Sequence, residues 1–156
     1  MPNNGPKVFV PKYGAGIMSE VEDNEYDKSR KYISICLLLN NINLYMPEDN
    51  IREYEVRSVI TKEEMEEALN IIKNNPNEIE KKWGKRYRNN NDKIKSGNTI
   101  KICEVIRDLY YLKLMGNLPP GERKILYKAE IMLASEIMLI FDISMEDALS
   151  KIRNVR

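Results

Sequence analysis

The spacing of the apolar residues changes once along the chain, close to Thr61. Before that point, short apolar runs are separated by Gly, Pro and Asn, a pattern typical of β-strands joined by tight turns. After it, apolar residues recur every three or four positions, as they do on one face of an α-helix. We therefore expect a sheet followed by helices, and a chain of 156 residues suits one domain or two small ones.

The first part of the chain is predicted to form five short strands. Turn residues separate them, including a polar hairpin turn at Glu22–Lys28 and a tight turn at Asn40 and Asn41, because Asn tolerates left-handed backbone geometry. The predicted strands are Lys7–Val10, Ile17–Val21, Lys31–Leu39, Ile42–Met46 and Tyr54–Val59. Five short strands in so little chain predict a small barrel.

The second part is predicted to form about five helices. Capping signals mark several starts: Thr61 with Glu64, Asn77 with Glu80, and Ser144 with Asp147. The predicted helices are Thr61–Lys73, Asn77–Ser96, Thr99–Met115, Pro119–Phe141 and a short one after Ser144. The expected fold class is thus α+β, with a barrel domain at 1–57 and a helical domain at 58–156.

Positive charge is concentrated in the stretch Lys81–Lys95, which also holds the only tryptophan, Trp83. The stretch carries seven Lys or Arg residues opposed only by Asp92, although the whole chain has a net charge of +1. Cations bind phosphates, and a large flat side chain can stack on bases or wedge between them. This pattern predicts a nucleic-acid contact centred on Trp83.

A different role for Trp83 fits the local pattern equally well. On a helix, Ile79, Trp83, Tyr87 and Ile94 fall near one face, and a tryptophan on such a face is often a core residue. Gly84 favours exposure of Trp83. Glycine destabilises a helix interior by roughly 1 kcal/mol relative to alanine, which is tolerable if the segment bends or presents the ring outward. At this point both interpretations stay open.

Several classes of site are not expected. The chain has no histidine, which removes Ser-His-Asp catalysis and histidine-containing metal sites. Cys36 and Cys103 lie in apolar runs and are expected to be buried and reduced. The four glutamates near Glu64 lie in the first turns of a predicted helix, where the positive end of the helix dipole stabilises carboxylates. They are therefore not interpreted as a catalytic or metal-binding site. We therefore expect no catalytic residue, no metal, no cofactor and no enzymatic activity.

No membrane segment is expected either. The first residues lack the basic region and apolar stretch of a signal peptide. The longest apolar runs, Ile35–Leu39 and Ile137–Phe141, fall far short of the roughly 20 residues that span a bilayer. A cytoplasmic, monomeric protein is expected.

The order of several short motifs resembles one protein family over nearly the whole chain. Each motif has low specificity by itself, but their order and spacing together are specific. The motifs are Val10-Pro11-Lys12-Tyr13-Gly14-Ala15-Gly16, Leu44-Tyr45-Met46-Pro47, Trp83 to Tyr87, Lys95-Ser96-Gly97, Glu104 to Leu109, Gly121 to Leu126 and Ala134 to Ile137. In this respect the chain is similar to the CarD/CdnL-like bacterial transcription regulators.

The resemblance implies an N-terminal Tudor-like (SH3-like) barrel that binds the β subunit of RNA polymerase. It also implies a C-terminal helical domain that contacts promoter DNA largely independently of sequence, with Trp83 as a minor-groove wedge that stabilises the open promoter complex. The residues expected to bind DNA are Trp83, Lys85, Arg86, Arg88, Arg123 and Lys124. Those expected to bind polymerase are Leu44, Tyr45, Met46 and Pro47.

Two positions depart from the family's usual pattern, and a second function remains open. Tyr45 stands where relatives often have a basic residue, and Pro119 stands where they tend to have serine. The alternative function is a free nucleic-acid-binding module, for DNA or RNA, that does not dock on polymerase. An exposed edge strand at Ile42–Met46 would favour docking, because such an edge can add to a partner's sheet.

Overall fold

The computed structural model describes residues 5–21 and 28–156. In chain order it has strands β1 (Lys7–Val10), β2 (Gly14–Glu20), β3 (Tyr32–Leu37), β4 (Asn43–Pro47) and β5 (Arg57–Ser58), with a 3₁₀ turn at Glu48–Asn50. Helices follow: α1 (Lys62–Lys73), α2 (Trp83–Lys95), α3 (Thr99–Leu114), α4 (Pro120–Phe141) and α5 (Met145–Arg153). The predicted α+β class is confirmed. The predicted turn at Glu22–Lys28 lies almost entirely outside the described residues.

The five strands form one antiparallel sheet in the order β4-β3-β2-β1-β5. Side chains alternate between its two faces, as the pleat of a strand requires. On one face, Phe9 and Ala15 join the apolar core of the helices. On the other face, residues of β1, β3 and β4 form a separate core that Ile51 and Val56 pack against. The sheet therefore has an apolar layer on each side.

Four of the five strands differ from their predicted bounds, β3 and β4 by at most two residues at either end, and β2 and β5 by three residues at their starts. Strand β2 begins at Gly14 rather than Ile17, because Gly14 has a φ of 95°, which glycine adopts without strain. Gly16 also continues the strand, where a Cβ would lie only 2.7 Å from the Cys36 carbonyl oxygen. Strand β5 is short because Glu55, with a φ of 55°, turns the backbone just before it.

The helix starts are set mainly by capping side chains. The Thr61–Glu64 capping box is present, and the Ser144 hydroxyl accepts a hydrogen bond from the Asp147 amide. The capping box predicted at Asn77 is wrong, since α2 begins only at Trp83. The Glu80 carboxylate instead accepts a hydrogen bond from the Lys82 backbone amide, at 3.3 Å. It is therefore not available to cap a helix at Asn77.

A buried carboxylate joins the sheet to the helices. Glu136 of α4 accepts two hydrogen bonds from the Arg57 guanidinium of β5, at 2.7 and 3.0 Å. It also accepts from the Thr99 hydroxyl at 2.7 Å and from the Ile60 amide at 3.1 Å. Arg57 additionally lies over the Phe9 ring, 4.6 Å from its centroid. The two predicted domains, 1–57 and 58–156, thus share a core and a polar joint at their proposed boundary.

Candidate nucleic-acid interface

Trp83 is the first residue of α2, and its side chain is 68% exposed. The alternative that Trp83 is a core residue is therefore wrong. Gly84 follows it in open space, since no atom beyond its chain neighbours and its own helix backbone lies within 4 Å of the position a Cβ would take. A flat aromatic ring thus projects from the start of a helix, next to a residue without a side chain.

Arg86, one turn further along α2, is buried rather than exposed. Its guanidinium forms a bidentate ion pair with Glu122 of α4, through Nε to Oε1 and through Nη2 to Oε2 at 2.7 Å. Nη1 donates to the Glu80 carbonyl at 2.9 Å. The hydrogen bond to Glu122 raises the pKa of Arg86 above its ordinary value, against the opposing effect of burial. We predicted that Arg86 binds DNA, but all three of its nitrogens are engaged within the protein.

The Arg86–Glu122 pair brings the first turns of α2 and α4 together. Neither helix has a side-chain cap at its start, since Lys82 and Pro119 make no capping hydrogen bond. The first backbone amides of a helix have no partner within it, and the helix dipole makes that end positive. Two positive helix ends therefore meet around one buried carboxylate, and the surface around them favours anions.

Exposed cations surround this pair of helix ends. Lys82, Lys85 and Arg88 line a shallow surface depression together with Trp83. Arg123 and Lys124, which follow Glu122 directly on α4, are also exposed. Lys85 has a weak ion pair with Glu80, at 3.7 Å, which exchanges readily with a phosphate contact in water. We refer to Lys82, Trp83, Lys85, Arg88, Arg123 and Lys124 as the basic face.

The residues predicted to bind polymerase lie on β4, an edge strand of the sheet. β4 pairs with β3 alone within the described residues, so its outer edge has no strand partner there. Tyr45 is 55% exposed, whereas Met46 is buried and Leu44 packs against the same core. Pro47 is half-buried. Of the four predicted residues, Tyr45 presents the most side chain to a partner.

Other classes of site find no support in the described part of the chain. Within residues 5–21 and 28–156, no group of three or more carboxylates and cysteines could hold a metal ion. Over the same residues, no helix combines the length and the apolar character needed to cross a bilayer. Cys36 and Cys103 are both buried and unpaired, as predicted.

Two residues of the site were missed in the sequence. Glu122 looks like an ordinary carboxylate at the start of a helix, and its partner lies 36 positions earlier in the chain. Glu80 was assigned to a capping box, although its carbonyl instead holds Arg86. In the sequence, the strongest signal for Glu122 was its position directly after Pro119-Pro120-Gly121, as the third residue of a helix that lacks a polar N-cap.

Comparison with known proteins agrees with this geometry. Residues 67–153, more than half of the chain, match the family model for the CarD C-terminal domain. The chain is also similar to "Putative transcription factor YdeB" of Bacillus subtilis (strain 168). The two are 29% identical over 137 residues, covering 87% of this chain and 90% of the relative. Taken with the five-stranded sheet and five helices, the match over residues 67–153 shows that this chain belongs to the CarD family.

Proposed function

We propose that this chain is a transcription regulator that binds the RNA polymerase β subunit and stabilises the open promoter complex. In this proposal Trp83 enters the minor groove of promoter DNA, and β4 docks on polymerase. Membership of the CarD family supports the general role, as does the similarity to a Bacillus subtilis protein named as a transcription factor. The exposed position of Trp83 within the basic face is the main support for the minor-groove contact.

The exposed ring of Trp83 offers a large apolar surface to a partner. Large aromatic side chains bury extensive apolar surface on contact, and the ring of Trp83 faces solvent instead. Wedge residues of minor-groove proteins insert between base steps, and neighbouring cations hold the backbone on either side. Trp83 at the start of α2, flanked by Lys82 and Lys85, has this arrangement.

The basic face is suited to backbone contact rather than to reading base sequence. Its cations are lysines and arginines at helix starts, where side chains and free backbone amides together bind phosphates. We propose Lys85, Arg88, Arg123 and Lys124 as phosphate contacts and add Lys82. Arg86 is left out, because its ion pair with Glu122 is buried. Binding to DNA alone is then weak, salt-dependent and nearly independent of sequence.

The outer edge of β4, which no other described strand covers, supports docking on a second protein. An exposed edge strand offers backbone amides and carbonyls to a partner strand, and such pairing tolerates changes of side chain. Tyr45 would add apolar area and a hydroxyl where relatives often have a cation. Because this edge favours docking, we prefer the polymerase-bound role over the free nucleic-acid-binding module.

Because the sheet and the helices share a core, β4 and the basic face keep a fixed position relative to each other. Phe9 and Ala15 of the sheet belong to the helical core, and Glu136 ties Arg57 to α4. Docking through the sheet would therefore hold the basic face in a defined place on the polymerase. A weak DNA contact then acts at a high effective concentration, which can raise overall affinity without any new interaction.

The test is the lifetime of open complexes formed by purified bacterial RNA polymerase with and without this chain. We expect the intact protein to lengthen the lifetime and Trp83→Ala to abolish most of that effect while still docking on polymerase. Tyr54→Ala is the matched control, because Tyr54 is also an exposed aromatic residue but lies outside the basic face. A Trp83→Ala protein that stabilises open complexes as well as the parent would refute the wedge.

A further inference from the structure

The end of α3 exposes apolar side chains that belong neither to the basic face nor to β4. Leu114, the last residue of α3, is 68% exposed, and Met115 after it is 55% exposed. Tyr127 on α4 is likewise exposed. Single exposed apolar residues are ordinary, but neighbouring ones next to a cleft mark contact surfaces.

Of these three residues, Leu114 lines a cleft of about 570 Å³ between α3, α4 and α5. Leu114 forms part of its wall and Leu126, which is buried, contributes to its floor. The volume lies within the range of clefts that accept the side chains of a ligand. We call this the α3–α5 cleft, and its lining residues are Tyr110, Lys113, Leu114, Leu126, Glu130, Arg153 and Arg156.

Three of the charged residues that line the cleft, Glu130, Arg153 and Arg156, are held by hydrogen bonds, and the lining as a whole is positive. Glu130 is buried and accepts hydrogen bonds from Arg153 at 3.0 Å and from the Tyr110 hydroxyl. Burial above all, together with the bond to Glu130, raises the pKa of Tyr110, so its hydroxyl stays protonated. With the one carboxylate already engaged, Lys113 and Arg156 give the rim its net positive charge.

Arg156 is positioned by neutral groups, and no acidic side chain among residues 5–21 and 28–156 forms an ion pair with it. Its Nε donates to the Ile72 carbonyl and one Nη donates to the Asn74 carbonyl, both at 3.1 Å. A guanidinium that is fixed before binding loses less side-chain entropy when it meets a carboxylate. The cleft therefore combines an apolar floor with two cations at its rim, of which Arg156 is held by hydrogen bonds.

We propose that the α3–α5 cleft binds an acidic amphipathic helix of a partner protein. Apolar side chains of that helix would contact Leu114 and Leu126, and its carboxylates would meet Lys113 and Arg156. A groove between helices accepts an amphipathic helix along its apolar stripe. Charge complementarity selects acidic partners over basic ones and speeds the encounter. The exposed leucine favours protein over DNA, since a phosphate backbone would leave it in water.

The probe is a fluorescein-labelled synthetic peptide of about 16 residues, long enough to become helical on binding. It carries Leu at every third or fourth position and Glu elsewhere, and a matched peptide carries Lys in place of Glu. Fluorescence anisotropy with the full chain should show binding of the acidic peptide and none of the basic one. Failure of the acidic peptide to bind would overturn the proposal.

A pair of double variants on α3 locates the binding. Lys113→Glu with Leu114→Glu should weaken the acidic peptide at least about tenfold, whereas Ile100→Glu with Lys101→Glu should change its affinity less than about twofold. The control has the same chemistry on the same helix, at its other end. Leu114→Ser is a milder variant that adds no charge, and it should still weaken binding about threefold. Thermal unfolding of each variant should match the parent, since these side chains are exposed.

Two further measurements distinguish the α3–α5 cleft from the basic face. Lys85→Glu with Arg88→Glu should leave peptide affinity within about twofold, and a larger loss there would place the peptide on the basic face and overturn the proposal. Duplex DNA should bind the Lys113→Glu, Leu114→Glu variant as it binds the parent. Equal losses for DNA and peptide would make the cleft an extension of the DNA contact and would refute a protein partner.

Discussion

Arg86 and Glu122 form a buried, bidentate ion pair one helical turn from the exposed ring of Trp83. Their side chains are only 10% and 2% exposed, and they connect the first turns of α2 and α4. A charge in such a place is stable only if it is paired and hydrogen-bonded. The pair therefore holds the first turn of α2, which begins with Trp83, against the first turn of α4.

Removing one member of this pair should be strongly destabilising. We expect Glu122→Gln to lower the free energy of unfolding by about 3–5 kcal/mol, because it leaves the Arg86 charge buried and unpaired. Urea denaturation followed by circular dichroism would measure the change. Trp83→Ala is the comparison, and it should shift stability by no more than about 0.5 kcal/mol because the ring is exposed.

A double replacement tests whether charge or shape matters at this position. Arg86→Met with Glu122→Leu removes both charges and should be more stable than Glu122→Gln, as apolar replacements of buried pairs often are. If the double variant is no more stable than Glu122→Gln, the pair is not an isolated electrostatic unit. The lost hydrogen bond to the Glu80 carbonyl would then dominate.

The basic face predicts how DNA binding depends on salt. If each of its five exposed cations contacts one phosphate, a log–log plot of affinity against salt concentration should have a slope of about −4.5. Lys85→Gln and Arg88→Gln should each reduce the slope by about 0.9, whereas Lys101→Gln, on the exposed start of α3, should not change it. Fluorescence anisotropy between about 50 and 300 mM salt, where screening of surface charges changes substantially, would give the slopes. A tight complex that does not respond to salt would contradict the assignment.

Much of the fold was predictable because its signals are local. The Thr61–Glu64 capping box lies within one turn, so the start of α1 follows from neighbouring residues alone. Gly116, which ends α3, has the left-handed backbone that a glycine after a helix predicts. The order of strands and helices depends on the same kind of short-range pattern.

The errors at the candidate site involve contacts between residues distant in the chain. At the start of α2, which is Trp83 rather than Asn77, the Glu80 carboxylate accepts from the Lys82 amide. The Glu80 carbonyl accepts from Arg86, which is itself held by Glu122 of α4. The burial of Arg86 was missed for the same reason, since no local signal separates a buried arginine from its exposed neighbours. Trp83 could be either core or surface on helical spacing alone, and only the packing of α2 decided it.

Cys103 should make the stability of the protein depend on alkaline pH. Burial is the main cause that raises the pKa of its thiol from 9.0 to about 12, with the charges of Glu136 and Glu104 adding to it. The neutral thiol is thus favoured in the folded state. Its contribution to the free energy of unfolding is complete below about pH 9. It is lost between pH 9 and 12, by up to about 1.4 kcal/mol per pH unit, because the unfolded thiol ionises first.

Two measurements check this behaviour. Unfolding free energies of Cys103→Ala should fall less steeply above pH 9 than those of the parent, since the variant lacks the thiol. In a Cys36→Ser protein at pH 8, Cys103 should react with a thiol reagent only as fast as the chain unfolds, because it is both buried and protonated. Rapid labelling of the folded protein would contradict the burial of this thiol.

The last prediction concerns docking through Tyr45. Its side chain is exposed on an edge strand, so a partner strand paired with β4 would cover it. Tyr45→Glu should weaken binding to core polymerase at least about tenfold, because it places an unpaired charge in the contact. Tyr45→Phe should change binding less than about threefold, since it keeps the apolar area, and Tyr54→Glu controls for added charge on an exposed tyrosine away from β4. Point variants are preferable to removing residues 1–57, because Phe9 and Ala15 belong to the core of the helices.

Surface-immobilised polymerase would give the affinities, and open-complex lifetimes should fall in step with them because the DNA contact depends on the anchor. If Tyr45→Glu loses polymerase binding but stabilises open complexes as before at equal concentration, the anchor is unnecessary and the free nucleic-acid-binding role replaces it.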